Sequence, residues 1–239
     1  MLKNYFRYIL DFFYPHICLI CRKRIVLDYN AVQILFGESE YCCAKCAANL
    51  ELAPRNEAIF QDFIRTFERD ELAISNATSL FYNSSKIPII NLVYGLKYQG
   101  FMRIGVQYGQ WLAKILVDTN LTNYDYIIPV PIHKARVKER GYNQSDYIAQ
   151  GIAKVINIPI AYNLLIRTKY TTSQTILSPE ERLVNPTDAF AVTNQKKVYG
   201  KRILLVDDVL TTGSTLNNCA ITLLENCAVR VDVATLIKA

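Results

Sequence analysis

The chain has 239 residues, of which 51% are hydrophobic and 20% are charged, and its formal net charge at pH 7 is +6. This hydrophobic content excludes a disordered chain, and no apolar run reaches the roughly 18 residues that a membrane-spanning helix requires. The modest positive charge permits an anionic ligand or a nucleic acid, although such a charge is more often only a solvated surface.

The N-terminal segment is apolar but does not have the pattern of a signal peptide. Arg7 and Asp11 interrupt its apolar stretch, and no small-residue cleavage site follows. The apolar spacing instead predicts a short amphipathic helix over residues 2–14. The lack of a secretion signal and the odd number of cysteines, seven, argue against a disulfide framework. We therefore expect a cytoplasmic protein.

Residues 1–60 hold five of the seven cysteines and are expected to form a separate N-terminal module. Four of these cysteines form two CxxC pairs: Cys18, Cys21, Cys43 and Cys46. The spacing is close to a zinc pattern, and four sulfur ligands leave no position for water, so a structural Zn²⁺ is predicted. Four structural or redox thiols are the alternative. Cys42 could replace Cys43 in the second pair, although its spacing to Cys46 is less favourable.

The second predicted domain, residues 61–239, alternates strand and helix patterns. The predicted strands cover 76–83, 124–131, 159–166, 188–193, 203–206 and 229–237. The predicted helices cover 87–98, 103–118, 145–156 and 216–227. This alternation predicts an α/β fold with a mostly parallel sheet flanked by helices. In such sheets ligands bind at the carboxyl ends of the strands.

The segment ILLVDDVLTTGSTL (203–216) combines two carboxylates with a run of hydroxyl residues. The hydroxyl run precedes a helix, whose free N–H groups favour a phosphate, and it consists of Thr211, Thr212, Gly213, Ser214 and Thr215. Asp207 and Asp208 would repel a phosphate, but they suit the two hydroxyls of a ribose or a bridging Mg²⁺. The pattern therefore predicts a ribose 5-phosphate site. A plain strand, turn and helix cap is the alternative.

Two further segments are candidates for the same edge of the sheet. The loop after the strand at 124–131 is basic and contains His133, Lys134, Arg136, Lys138 and Arg140. Such a loop suits a pyrophosphate, and its four predicted ligands are His133, Lys134, Arg136 and Arg140. The long polar stretch 167–190 is a candidate mobile flap that excludes water, with Arg167 and Lys169 at its start. The alternative for the basic loop is a solvated charge run. The alternative for the stretch 167–190 is an ordinary loop with a short helix near Pro179–Val184.

The stretch VDDVLTTGST resembles the signature of type I phosphoribosyltransferases, which bind phosphoribosyl pyrophosphate (PRPP) with Mg²⁺. The resemblance implies that Asp207 and Asp208 contact the ribose hydroxyls and that Thr211–Thr215 bind the 5-phosphate. Hypoxanthine-type members carry an acidic general base just before the Thr-Gly pair, where this chain has Thr211. The motif therefore leaves the acceptor unnamed.

Several motifs together resemble the ComF family. They are the double CxxC, Leu96-Lys97-Tyr98 followed by Gly100, PVPIHKARVKERGYNQS and the 167–190 stretch. The resemblance implies a zinc-finger module fused to a phosphoribosyltransferase domain. It also implies a role in natural transformation, in which single-stranded DNA is handled alongside a competence helicase and a DNA-uptake channel.

Two classes of function remain open on this sequence. In an enzyme, Asp207 and Asp208 would fix the ribose, and Arg167 and Lys169 would fold over the leaving pyrophosphate. The alternative is a non-catalytic protein that senses PRPP or a nucleotide and binds single-stranded DNA or a partner. Because only two residues follow the last predicted strand, we expect the cysteine module and residues 60–85 to cover the PRPP site.

Overall fold

The computed structural model describes residues 15–25, 40–54, 56–68, 71–83, 88–169 and 189–239. The predicted helix over 2–14 and the predicted flap beyond residue 169 lie outside these ranges. Within the same ranges, every helix is too short or too polar to cross a membrane.

The described elements alternate as the sequence predicts. The helices are α1 Ala44–Ala47, α2 Asn56–Thr66, α3 Ile90–Tyr98, α4 Met102–Asp118, α5 Lys134–Arg140, α6 Gln144–Ile156, α7 Gln195–Val198 and α8 Ser214–Glu225. The strands are β1 Asn76–Tyr82, β2 Tyr126–Pro129, β3 Leu165–Arg167, β4 Phe190–Val192, β5 Arg202–Leu210 and β6 Arg230–Lys238.

Four strands form the main sheet in the order β1-β6-β5-β2, and each neighbouring pair is parallel. The run Ile203–Val206 in β5 is fully buried, as expected for a strand covered on both faces. The prediction of a mostly parallel sheet is confirmed. Strand β5 continues past its predicted end at 206, because Asp207 pairs with Thr235 and Val209 pairs with Ile237 on β6. The two aspartates therefore lie on the strand rather than in a loop.

The predicted strand over 159–166 is wrong as a single element. Ile160 makes an isolated parallel bridge to Ile127, and the chain then turns. Residues 165–167 become β3, which pairs with β4 in a separate antiparallel hairpin. Both parts contain apolar residues, so the spacing did not reveal the turn between them.

Glycines bring α4 and α6 into close contact on one face of the sheet. A Cβ atom at Gly109 would lie 2.3 Å from the carbonyl oxygen of Ile148, and one at Gly151 would lie 2.2 Å from that of Val106. Real Cβ atoms do not approach this closely, so only glycine allows this packing. The contact fixes α6, whose N-terminus is near the carboxyl ends of the strands.

The two cysteines of the predicted last helix have different environments. Cys219 is fully buried, as its position on the apolar face predicts. Its spacing from Cys219 in the predicted helix 216–227 also predicts an apolar-face, core position for Cys227, but this prediction is wrong, because Cys227 is exposed. Helix α8 ends at Glu225, and Cys227 lies beyond it with a φ of 66°, so helical spacing no longer determines its orientation.

Candidate functional site

The four sulfur atoms of Cys18, Cys21, Cys43 and Cys46 lie within 4.8 Å of one another. Zinc–sulfur bonds of about 2.3 Å in a tetrahedron place the sulfurs about 3.8 Å apart. The Sγ atoms of Cys21 and Cys43 are 3.8 Å apart. This group could hold a metal such as zinc. Cys42 lies outside the group, since its buried thiol is directed to the carbonyl oxygen of Cys43.

Local turns bring the two cysteine pairs together. Around the first pair, the backbone N–H of Cys18 donates to the carbonyl oxygen of Lys23 at 2.9 Å. Burial alone would raise the pKa of the Cys18 thiol, yet backbone hydrogen bonds from Cys21, Cys43 and Ile20 outweigh it and lower the pKa to about 7. The environment of Cys18 therefore favours the thiolate, which is the form that binds metals, whereas burial raises the pKa of Cys43 and Cys46.

The cysteine module packs against helix α3. The Cδ1 atom of Leu19, between the first two cysteines, lies 2.6 Å from where a Cβ atom on Gly95 would stand. The ring centroids of Tyr41 and Phe101 are 5.3 Å apart. The module and this side of the sheet therefore share one hydrophobic core. Lys97, two residues after Gly95, lies on the same helix.

The two aspartates of β5 have different partners. The carboxylate of Asp207 accepts a hydrogen bond of 2.9 Å from the hydroxyl of Ser145, at the start of α6. The carboxylate of Asp208, whose side chain is only 4% exposed, lies 2.8 Å from the ammonium of Lys97. Its second oxygen, Oδ2, is buried and accepts no hydrogen bond from the described residues. A buried acceptor without a partner favours an incoming donor or cation.

Burial raises the pKa of Asp207 to about 7, and repulsion from Asp208 contributes to the increase. Three groups oppose this increase in pKa: the charge of Lys97, the backbone N–H of Asp208 and the hydroxyl of Ser145. Asp207 can therefore change its protonation near neutral pH, which makes it a functional-site candidate on physical grounds.

The hydroxyl run lies between β5 and α8, as predicted. Gly213 has a φ of 81° and precedes the first residue of α8. A Cβ atom there would lie 2.2 Å from the ring of Phe63, so α2 packs directly on this loop. The hydroxyl of Thr212 lies 3.1 Å from that of Ser214. The four hydroxyl residues of the run are all exposed: Thr211, Thr212, Ser214 and Thr215.

The basic loop forms the short helix α5. His133 caps it by accepting a hydrogen bond from the backbone N–H of Ala135, and Lys134 points to solvent. Arg136 and Arg140 line a cavity of about 450 Å³. The other residues of its lining are Lys97, Tyr98, Gly100, Glu139 and Tyr142. The structure thus brings two of the four predicted pyrophosphate ligands together with Lys97.

Arg167 lies on β3, at the start of the predicted flap. Its guanidinium carbon is 5.5 Å from the centre of the Phe190 ring. Burial lowers its pKa and the charge of Arg136 adds to this, while the charge of Asp207 opposes the change. Arg167 is therefore within electrostatic reach of Asp207, whereas Lys169 is exposed.

Sequence reasoning missed two residues of this site, Lys97 and Ser145. Both lie within motifs that were noted, Leu96-Lys97-Tyr98 and the segment ending in Asn143-Gln144-Ser145, but no role was assigned to either side chain. A third residue, the cation Lys238 at the end of β6, lies beside the hydroxyl run and borders a small recess with Thr211 and Thr212.

Comparison with known proteins gives several matches. Residues 143–239 match the phosphoribosyl transferase domain family. Competence protein F of Haemophilus influenzae is 36% identical over 135 residues, which cover 54% of this chain and 59% of that protein. DNA utilization protein YhgH of Escherichia coli O157:H7 is 37% identical over 61% of this chain and 65% of its own length. Competence protein ComFC of Bacillus subtilis is 26% identical over 93% of this chain and 95% of its own length.

A solved structure that matches part of this chain is the glutamine PRPP amidotransferase of B. subtilis, at 24% identity and a TM-score of 0.38, over 55% of this chain and 26% of that one. The chain spans 59% to 65% of the length of the first curated relatives that it matches. The domain match and the parallel sheet confirm the expected type I phosphoribosyltransferase-like fold. The chain is thus similar to competence proteins F and ComFC, and its C-terminal part is similar to the phosphoribosyl transferase domain family.

Proposed function

We propose that the protein binds PRPP as a phosphoribosyltransferase and acts in DNA uptake during natural transformation. The observation that carries the first part is the arrangement at the end of β5. An acidic pair near the end of β5 is followed by a hydroxyl loop at a helix N-terminus, and the ion pair between Asp208 and Lys97 links the acidic pair to a cavity with three cations. Relatives named for competence and DNA utilization support the second part.

Each part of PRPP corresponds to one part of this arrangement. The 5-phosphate binds the loop Thr211–Thr215, through the first N–H groups of α8 and the hydroxyls. The ribose hydroxyls donate to Asp207 and Asp208. The pyrophosphate binds Arg136 and Arg140 in the adjacent cavity.

Lys97 connects the acidic pair with the cavity. Its ammonium pairs with Asp208 and also borders the cavity. In our proposal it neutralises Asp208 in the free protein and stabilises pyrophosphate charge in the complex. The buried Oδ2 atom of Asp208 and the neighbouring Asp207 also fit Mg²⁺, which takes oxygen ligands. Mg²⁺ bound with PRPP would supply positive charge to the leaving group.

The reaction that follows is transfer of the phosphoribosyl group. The bond between C1 and the pyrophosphate oxygen breaks, and the acceptor bonds to C1 from the opposite face. The carboxylates hold the ribose while positive charge develops on the ring. Arg167 and Lys169, at the base of the predicted flap, supply further charge toward the pyrophosphate.

The double variant Asp207→Asn/Asp208→Asn tests the site. Calorimetric titration should show PRPP affinity reduced by at least about 100-fold, because both acceptors of the ribose hydroxyls lose their charge. Asp118→Asn, which changes an exposed carboxylate on α4, is the control and should bind as the unmodified protein does. Unchanged PRPP affinity in the double variant would refute the assignment.

A second candidate is a non-catalytic protein that senses PRPP or a nucleotide. It is favoured by Thr211, which stands where a hypoxanthine-type enzyme has its acidic base. Pyrophosphate release from PRPP with a panel of acceptors separates the two, since a sensor binds PRPP without turnover. Competition between PRPP and single-stranded DNA tests whether DNA reaches this site. A cytoplasmic location and contacts with a competence helicase and DNA-uptake channel belong to the same proposal.

A further inference from the structure

Two tyrosines on α3 are exposed beside the basic cavity. Tyr94 is 54% exposed and Tyr98 is 66% exposed. They are one helical turn apart, and their ring centroids lie 5.7 Å from each other at an interplanar angle of 33°. A single exposed tyrosine is ordinary, but two exposed rings in contact form a continuous aromatic surface.

The aromatic surface continues into the cavity. The ring of Tyr98 lines the cavity, and the guanidinium carbon of Arg140 lies 5.2 Å from the centre of that ring. Tyr98 keeps two thirds of its surface exposed despite this contact, so the ring remains accessible to a planar group. Gly100 also lines the cavity, and no atom lies within 4 Å of its Cβ position.

The charges of the lining favour an anion next to the rings. The lining contains three cations, Lys97, Arg136 and Arg140, and one carboxylate, Glu139. Pyrophosphate would use the cations but has no use for an exposed aromatic surface. A base joined to a phosphate uses both, because bases stack on aromatic side chains while cations hold the phosphate.

We infer that Tyr98, supported by Tyr94, is a stacking subsite for the base of a nucleoside phosphate whose phosphate binds Arg136 and Arg140. This inference rests on the proposed function for the location of the site and extends it to the class of ligand. The base comes either from a free nucleotide or from a single-stranded nucleic acid.

The experiment compares two probes that differ only by a base, uridine monophosphate and ribose 5-phosphate, by calorimetric titration. In the unmodified protein, uridine monophosphate should bind more tightly than ribose 5-phosphate. Tyr98→Ala should reduce the ratio of these two affinities about tenfold, which is the scale of one lost base–aromatic stack. Tyr98→Phe keeps a ring and should keep the ratio. Tyr199→Ala removes an exposed tyrosine next to α7 and is the matched control.

A second arm identifies the source of the base with an oligothymidylate of about ten nucleotides. If a strand is bound, Tyr94→Ala should weaken the oligonucleotide and leave uridine monophosphate unaffected, since successive bases use successive rings. If a free nucleotide is bound, Tyr94→Ala should change the affinity for neither the oligonucleotide nor uridine monophosphate. Tyr98→Ala should still lower the ratio of the affinities for uridine monophosphate and ribose 5-phosphate. Either result supports the subsite.

Two results overturn the inference: no preference for the probe with a base in the unmodified protein, or an unchanged ratio in Tyr98→Ala. Neither depends on PRPP. If PRPP does not bind but the ratio falls in Tyr98→Ala, the proposed function fails and the subsite stands. If PRPP binding depends on the aspartates but the ratio of affinities is unchanged in Tyr98→Ala, the proposed function stands and the subsite fails.

Discussion

The cysteine cluster and the acidic pair both crowd groups of like charge, but they are assembled differently. The cluster comes from two local turns, each carrying its cysteines within a few residues, and it could hold an external cation. The acidic pair receives its partners from distant parts of the chain, Ser145 on α6 and Lys97 on α3. The comparison shows that a group of cysteines on local turns can be identified from spacing, whereas the partners of the acidic pair depend on packing.

The two sites meet on helix α3. Leu19 of the cysteine module packs on Gly95, and Lys97 follows on the same helix. Variants that disturb one site and spare the other therefore test how independent the two are.

The largest effect is expected for Cys18→Ser. Removing one thiolate should reduce the metal content from about one Zn²⁺ per chain to nearly none, as measured by atomic absorption. Because Cys18, Leu19 and Ile20 are buried in the core, the thermal midpoint should also fall by about 10 °C.

Cys227→Ser, which alters an exposed cysteine, is the control for this experiment and should leave the metal content and the thermal midpoint unchanged. Full metal content in Cys18→Ser would contradict the assignment of this cysteine as a ligand.

A smaller effect is expected for Lys97→Met. The variant leaves the buried carboxylate of Asp208 without its counter-ion, and we expect a loss of about 2 kcal/mol in the free energy of unfolding by urea. This figure is below the usual cost of breaking a buried pair, because Lys97 is 26% exposed and partly screened. Metal content should not change.

Lys114→Met on the exposed face of α4 controls for the loss of a lysine, and Lys97→Arg should recover part of the stability. Equal unfolding free energies for Lys97→Met and Lys114→Met would mean that the ion pair contributes nothing.

The smallest effect concerns Asp207 and pH. Its pKa is about 7 in the folded protein against an ordinary 3.8, so the folded state keeps this proton between pH 4 and 7 while the unfolded chain releases it. The resulting contribution to stability is full below about pH 4 and is lost as the pH rises through 7. Asp207→Asn stays neutral at every pH. It should therefore be more stable than the unmodified protein at pH 8 and nearly equal to it at pH 4.

Thermal unfolding at pH 4 and pH 8 measures this difference in stability, and Asp118→Asn is the control. A stability difference between Asp207→Asn and the unmodified protein that is the same at both pH values would contradict the raised pKa.

The sequence by itself determined the elements and motifs that depend on neighbours along the chain. The apolar run Ile203–Val206 predicted a buried strand, and Gly213 with its hydroxyl neighbours predicted a turn into a helix. The CxxC spacing predicted the four grouped sulfurs. These features follow from chain geometry over a few residues, which periodicity and spacing record directly.

Only the tertiary structure decided which distant side chains complete the site. The pairing of Lys97 with Asp208 depends on how α3 packs on the sheet, and the contact of Ser145 with Asp207 depends on the glycine contact between α4 and α6. The extension of β5 through the aspartates likewise required its partner β6. Such contacts arise from the way that buried surfaces fit together, and no local pattern in the chain encodes them.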